Sequence, residues 1–232
     1  MSCVAENLET VRHRVASAAE RTGKKPEEVE LLVVSKTFPA DVVREAVEAG
    51  QMLFGENKVQ ELLAKIPLLP SSLRWHLIGH LQSNKVRKVL PVVEAIHSVT
   101  SLDLAKDINR IAGELGLFPK VYLEINVGAE ASKHGFNAAN VCEQIEALYV
   151  LDRLFIQGLM CIPPFAPEVE KSRPYFAELR ELRDKLEKIG GAPLPKLSMG
   201  MSHDFEVAIE EGATIVRVGS AIFGGRAPVA VT

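Results

Sequence analysis

Lys36 stands directly after the apolar run Leu31-Leu32-Val33-Val34-Ser35 and directly before a turn that leads into a helix. An ammonium group at the mouth of a buried strand is partly stripped of water. That lowers its pKa and frees the amine to attack a carbonyl, the chemistry of a Schiff-base nucleophile. A solvated strand-end lysine is the ordinary alternative, because lysine is seldom buried. The choice between them rests on what stands at the ends of the other apolar runs. Gly55-Glu56-Asn57, His76 with Gly79-His80, Asn126, Met160, Ser198-Met199-Gly200 with Ser202, and Arg217-Val218-Gly219-Ser220 occupy those ends.

The elements that must position these residues follow from hydrophobic period. Apolar or β-branched runs at 31–35, 52–55, 74–78, 95–99, 120–126, 155–160, 196–199 and 214–218 read as eight strands. Val4, Leu8, Val11, Val15 and Ala18 keep one helical face ahead of the first strand, closed by Gly23 and Pro26. Between strands, helices are expected from Pro39 to Ala49 before Gly50, and from Ser101 to Leu115 before Gly116. A further helix is expected after Asn137, which reads as an N-cap with Phe136 and Val141 as a hydrophobic staple. The longest is expected over 168–189, with Phe176, Leu179, Leu182, Leu186 and Ile189 on one stripe, and the last from Ser202 to Glu211 before Gly212.

Strand and helix alternating eight times in 232 residues predict an α/β fold: a single (β/α)8 TIM barrel, one domain over 1–232, with an extra N-terminal helix. An open doubly wound sheet is the rival, but the first strand is followed by no GxGxxG turn. Chemistry in such barrels sits at the carboxyl ends of the strands, where the polar and glycine residues above fall.

The loops after strands seven and eight are a frequent phosphate site in barrels. Gly219-Ser220 and Ser198-Met199-Gly200-Met201-Ser202 offer backbone N–H groups, hydroxyls and glycines that permit close approach. Ordinary turn chemistry, with Ser202 capping its helix, is the competing account. A phosphate cradle facing a Schiff-base lysine is what pyridoxal phosphate requires. Arg217, one strand period before Gly219, points to the same side of its strand and is placed to meet the pyridine nitrogen. An arginine paired with a carboxylate at the rim is the alternative.

Composition narrows the partners. A net charge of −3 gives no general field for nucleic acid or an anionic membrane, and Lys85-Val86-Arg87-Lys88 reads as a solvated helix face. No apolar run approaches a membrane span, and residues 1–15 lack a secretory pattern. Three cysteines, Cys3, Cys142 and Cys161, without metal or CxxC spacing, fit a reducing compartment, so a cytoplasmic location is expected. His76 and His80 are four apart, but Gly79 and the strand context deny them the shared helical face of a zinc pair.

Six segments together carry a family likeness: Val34-Ser35-Lys36-Thr37, Phe54-Gly55-Glu56-Asn57-Lys58-Val59-Gln60-Glu61, Trp75 to Lys85, Gly158-Leu159-Met160, Leu197 to Ser202, and Val216 to Gly224. From about residue 4 to Arg226 the chain resembles the pyridoxal phosphate homeostasis proteins, whose fold is similar to the amino-terminal barrel of alanine racemase. The resemblance implies one barrel holding pyridoxal phosphate on Lys36, with Arg217 near the pyridine nitrogen. It places the phosphate around Ser198, Met199, Ser202, Gly219 and Ser220, and Asn57 and His76 along the pocket. It further implies a carrier and regulator of vitamin B6 balance without established catalysis, with apo pyridoxal phosphate enzymes as candidate recipients. His80 and His203 stand where relatives differ and receive no role.

Absence of cover also favours a carrier. Racemisation needs a positioned acid or base beside the substrate, and enzymes resembling alanine racemase draw part of theirs from a second domain and a dimer partner. Here the chain ends about six residues after Arg226, and no large apolar stripe is left over, so a monomer is expected. The enzyme alternative is an amino-acid racemase with a tyrosine, histidine or cysteine as second base. Tyr149 and Tyr175 fall on expected helices and Tyr122 in mid-strand. A lysine-dependent aldolase is a second enzyme alternative, distinguished by needing no chromophore.

Overall fold

The computed structural model describes residues 2–128 and 134–225; Arg226, where the family likeness ends, lies outside them. Eight parallel strands close into a barrel in sequence order, with β8 pairing back onto β1. They are β1 Glu30–Val34, β2 Leu53–Glu56, β3 Arg74–Leu77, β4 Ala95–Val99, β5 Lys120–Ile125, β6 Phe155–Cys161, β7 Lys196–Met201 and β8 Ile215–Val218. Each expected strand is present within two residues of its expected bounds. Parallel strands require crossovers, and the helices that make them coat the outside.

The described helices are α1 Cys3–Arg21, α2 Ala40–Glu48, α3 Val59–Lys65, α4 Val86–Val89, α5 Leu102–Leu115, α6 Ala138–Tyr149, α7 Arg173–Gly190, α8 Phe205–Glu210 and α9 Ser220–Phe223. Ser101 caps α5 by accepting from the Leu104 N–H, and Gly116 ends it in a left-handed conformation. Asn137 caps α6 through the Ala139 N–H, and the staple residues Phe136 and Val141 are both buried.

Three helix expectations are corrected. Val169–Ser172 is a separate 3-10 turn, and the long helix starts at Arg173, with Pro174 in its first turn, where a proline costs no intrahelical bond. Ile189 is 41% exposed and leaves the stripe that Phe176, Leu179, Leu182 and Leu186 maintain. The helix expected from Ser202 begins at Phe205, because the Asp204 carboxylate accepts the Met201 N–H at 2.7 Å and folds residues 201–204 into a turn. In the basic run Val86 is fully buried, while Arg87 and Lys88 face solvent.

The extra helix α1 packs on α2, α8 and α9. It buries Val4, Leu8, Val11 and Val15, pairs Arg14 with Glu206, and donates from Asn7 Nδ2 to the Ile222 carbonyl at 3.0 Å. That last bond ties α1 to the short α9 that follows β8. Two apolar clusters result. The large one fills the space between barrel and helices; the small one, Leu32, Val34, Leu53, Ile78, Ala95, Tyr122, Met160 and Ile215, fills part of the barrel interior.

Candidate functional site

A cavity of about 460 Å³, the size of a small-ligand pocket, opens at the carboxyl ends of the strands. Lys36, Asn57, Glu124, Ser202, Arg217, Gly219 and Ser220 line it, with His80, His134 and His203 around it. Six of the nine residues expected at the site therefore meet on one surface. The other three, His76, Ser198 and Met199, have buried side chains away from that lining. Met199 belongs to the core between barrel and helices, whereas His76 and Ser198 belong to a polar chain beneath the pocket floor.

The chain segment around Lys36 is held from outside the barrel. Ser35 Oγ donates to Glu56 Oε1 at 2.7 Å, the Ser35 carbonyl accepts from Lys65 Nζ at 2.8 Å, and Lys65 pairs with Glu56. The Thr37 N–H donates to Glu61 Oε2 at 2.9 Å, with Thr37 at φ +70°, an unusual conformation for a β-branched residue. Glu61 and Lys65, one turn apart on α3, and Glu56 on β2 thus clamp both neighbours of Lys36. Glu56 was legible as a rim residue; its partners on α3 were not.

At the far wall, Ser202 does not cap a helix. Its hydroxyl accepts from the Gly219 N–H at 3.2 Å and the Ala221 N–H at 3.3 Å, bringing the β7 and β8 loops together. Gly219 is required there, since a Cβ would stand 2.9 Å from the Val34 carbonyl oxygen. Gly200 adopts φ +89°, and its Cβ would meet that of Ala208 at 2.6 Å. Two hydroxyls, Ser202 and Ser220, and close backbone approach fit an anionic group, and the cations Lys36 and Arg217 add to that fit.

Arg217 is buried and, among the described residues, meets no carboxylate. Its Nη1 donates to Ser198 Oγ at 2.7 Å and its Nη2 to the Cys161 carbonyl at 2.8 Å. Beyond Ser198 the chain continues to His97 Nδ1 at 2.8 Å and from His97 Nε2 to His76 Nδ1 at 2.9 Å. Burial depresses the pKa of both imidazoles, that of His76 to about 4. Burial raises the Cys161 thiol to about 12, so this cysteine is an inert packing group. Burial also pushes the Glu124 carboxyl up to about 7, against the opposing pull of Arg217.

Sequence reasoning passed over His97 and Glu124. Strand alternation carried the signal for Glu124: Tyr122 and Glu124 share one face of β5, the face turned into the barrel. Tyr122 lies buried beneath the pocket with its ring 4.2 Å from that of His97. His80 stacks on His134 at 4.4 Å, and His203 Nε2 lies 3.2 Å from the Ala166 carbonyl. No group of three or more metal-ligating side chains occurs among the described residues.

Residues 7–227 match the family described as alanine racemase, N-terminal domain. Fold and match together define the class: a (β/α)8 barrel of the alanine racemase type. The chain is 46% identical over 222 residues to the pyridoxal phosphate homeostasis protein of Aquifex aeolicus, covering 95% of this chain and 97% of that one. PipY of Synechococcus elongatus, solved without and with pyridoxal phosphate bound, is similar at TM-scores of 0.86 and 0.83 and identities of 40% and 39%; each comparison covers 95% of this chain and 100% of PipY. The chain belongs to the pyridoxal phosphate homeostasis protein family.

Proposed function

We infer that the chain binds pyridoxal phosphate in the carboxyl-end pocket and serves intracellular homeostasis of that cofactor. The observation that carries this reading is the meeting of Lys36, buried Arg217 and the loop residues Ser202, Gly219 and Ser220 around one cavity. PipY, at 39% identity, has a structure with the same cofactor bound. In this reading the Lys36 amine condenses with the cofactor aldehyde, forming a C=N bond and releasing water. Ser202, Gly219 and Ser220, with backbone from the Ser198-Met199 segment, receive the phosphate. Asn57 faces the ring, and His76 acts from beneath the floor.

Arg217, as a permanent cation and donor, faces the pyridine nitrogen and keeps it unprotonated. That weakens the ring as an electron sink and favours storage and release over catalysis. Apo pyridoxal phosphate enzymes are the recipients this implies. The cytoplasm and a monomeric state complete the reading; among the described residues no helix is long and apolar enough to cross a membrane.

One observation favours a racemase-like enzyme instead: Glu124 and His80, both capable of proton transfer, line the same cavity as Lys36. Titrating the protein with pyridoxal phosphate while recording visible absorption, for wild type and Lys36→Ala, tests both readings. Carriage predicts a yellow band in the wild type that Lys36→Ala lacks, and no turnover of amino acids by the loaded protein. Steady turnover abolished by Lys36→Ala would replace carrier with enzyme, and no band in either protein would remove the cofactor.

A further inference from the structure

The interior of a (β/α)8 barrel is normally filled by layers of branched apolar side chains. Here four polar side chains run through it: Arg217, Ser198, His97 and His76, with exposures from 0% to 4%. The last of them, His76, places Nε2 3.9 Å from Glu94 Oε2 at the opposite mouth. Glu94 is itself held by Arg74 at 2.6 Å and Lys120 at 2.8 Å.

Donor and acceptor bookkeeping gives this chain one sense. Arg217 can only donate, so Ser198 Oγ accepts from it. The Ser198 proton then goes to His97 Nδ1, which is bare. The His97 proton sits on Nε2 and is donated to His76 Nδ1, and the His76 proton sits on Nε2, facing the Glu94 carboxylate. The opposite sense fails at both ends: it leaves the buried Ser198 proton with no acceptor, and it turns a bare His76 nitrogen toward a carboxylate. His76 Nε2 has no hydrogen-bond partner in either sense, but the first sense turns its N–H rather than its lone pair toward the carboxylate and pairs the buried Ser198 proton, so the first sense prevails.

We propose that His97 and His76 are positioning residues for Arg217: two neutral imidazoles, each protonated on Nε2, that act through Ser198 to fix the guanidinium in the pocket floor. The role of Arg217 toward a bound pyridine rests on the function proposed above, whereas the hold on Arg217 is a property of the chain alone. The groups facing the two rings agree with neutrality. Among the described residues, His97 is faced by His76, Ser198, Arg217 and the Tyr122 ring. His76 is flanked by Glu94 and Glu30, but also by Arg74 and Lys120, and burial outweighs the carboxylates. With Cys161 as second anchor, both Nη atoms of Arg217 are fixed, and its remaining N–H groups are left for the ligand.

The test is NMR of protein carrying labelled arginine and histidine and freed of cofactor. Both imidazoles are expected neutral and Nε2-protonated from pH 8 to pH 5, with separate, slowly exchanging Nη signals for Arg217. His97→Phe, which keeps a planar though larger ring and removes both hydrogen bonds, is expected to merge those signals. In the pyridoxal phosphate-loaded protein it is expected to shift the visible band while borohydride still traps the cofactor on Lys36. Ser198→Ala, which removes the Arg217 partner itself, gives the same reading if His97→Phe does not fold. An imidazolium or an Nδ1-protonated ring, or Arg217 signals unmoved by both variants, overturns the proposal. A wild type that never colours but shows the expected NMR pattern removes the cofactor and keeps the hold on Arg217.

Discussion

The two mouths of the barrel are built from similar charges arranged to opposite ends. At the amino-end mouth Glu30, Arg74, Glu94, Lys120 and Lys196 answer one another: Arg74 reaches Glu30 and Glu94, Lys120 reaches Glu94, and Lys196 reaches Glu30. These side chains are 26–48% exposed, so their pairs are screened and contribute little stability each. At the carboxyl-end mouth the charges are buried deeper and shared among fewer partners. Glu56 and Lys65 pair behind Lys36, Arg217 holds neutral oxygens, and Glu124 is pushed toward neutrality. At one mouth the charges answer one another near the surface; at the other they stand around a cavity.

Breaking the deepest pair separates the two mouths most sharply. Lys65→Met leaves Glu56 buried and unpaired, and is expected to cost about 3–5 kcal/mol in denaturant unfolding. It also frees the Ser35 carbonyl, so the yield of Lys36 labelling by pyridoxal phosphate should fall in whatever protein remains folded. A cost under about 1 kcal/mol, the size of a surface pair, would show that the clamp is not buried as described.

Gly219→Ala tests the close approach on the ligand side. Its Cβ would press on the Val34 carbonyl, which sits in the backbone two residues before Lys36, and a loss of about 1–3 kcal/mol is expected, with weaker phosphate binding. Wild-type stability and affinity in this variant would contradict the wall geometry.

Glu124 gives the sign of the pH response. Its folded pKa lies above its unfolded value, so below about 4.5 both states are protonated and it contributes nothing. As pH rises from there to about 7, the unfolded chain loses the proton first and the folded state loses relative stability. Glu124→Gln should remove that slope and gain ~1–3 kcal/mol at pH 8, measured by unfolding at several pH values. A slope of the opposite sign would mean that Arg217 dominates over burial.

Lys196→Met is expected to be the mildest change. It removes one partner of Glu30, which keeps Arg74, and should cost less than about 1 kcal/mol without altering cofactor binding.

What the sequence disclosed follows the same division. Strand ends were legible because apolar runs of four to seven residues stop abruptly at Lys36, Asn57, Asn126 and Gly219, so the rim could be assembled from local pattern. The His97–Ser198–Arg217 chain was not legible. It joins β4, β7 and β8, 101 residues apart at its histidine link, and depends on register that no local spacing encodes. Capping by Ser202 competed with a place in the phosphate site because serine before a helical pattern is usually a cap, but Asp204 two residues on takes the turn and frees Ser202 for the β8 loop. Nothing in the local spacing singles out Lys65. Only the packing of α3 against β2 shows its ammonium turned inward to Glu56.

The central claim is that the carboxyl-end mouth holds pyridoxal phosphate covalently on Lys36. Borohydride reduction of the loaded protein, digestion and mass mapping of the modified lysine test it most directly. The account predicts a single reduced pyridoxyl adduct on Lys36, absent when that residue is replaced by alanine. A dominant adduct on any other lysine, or none, would contradict it.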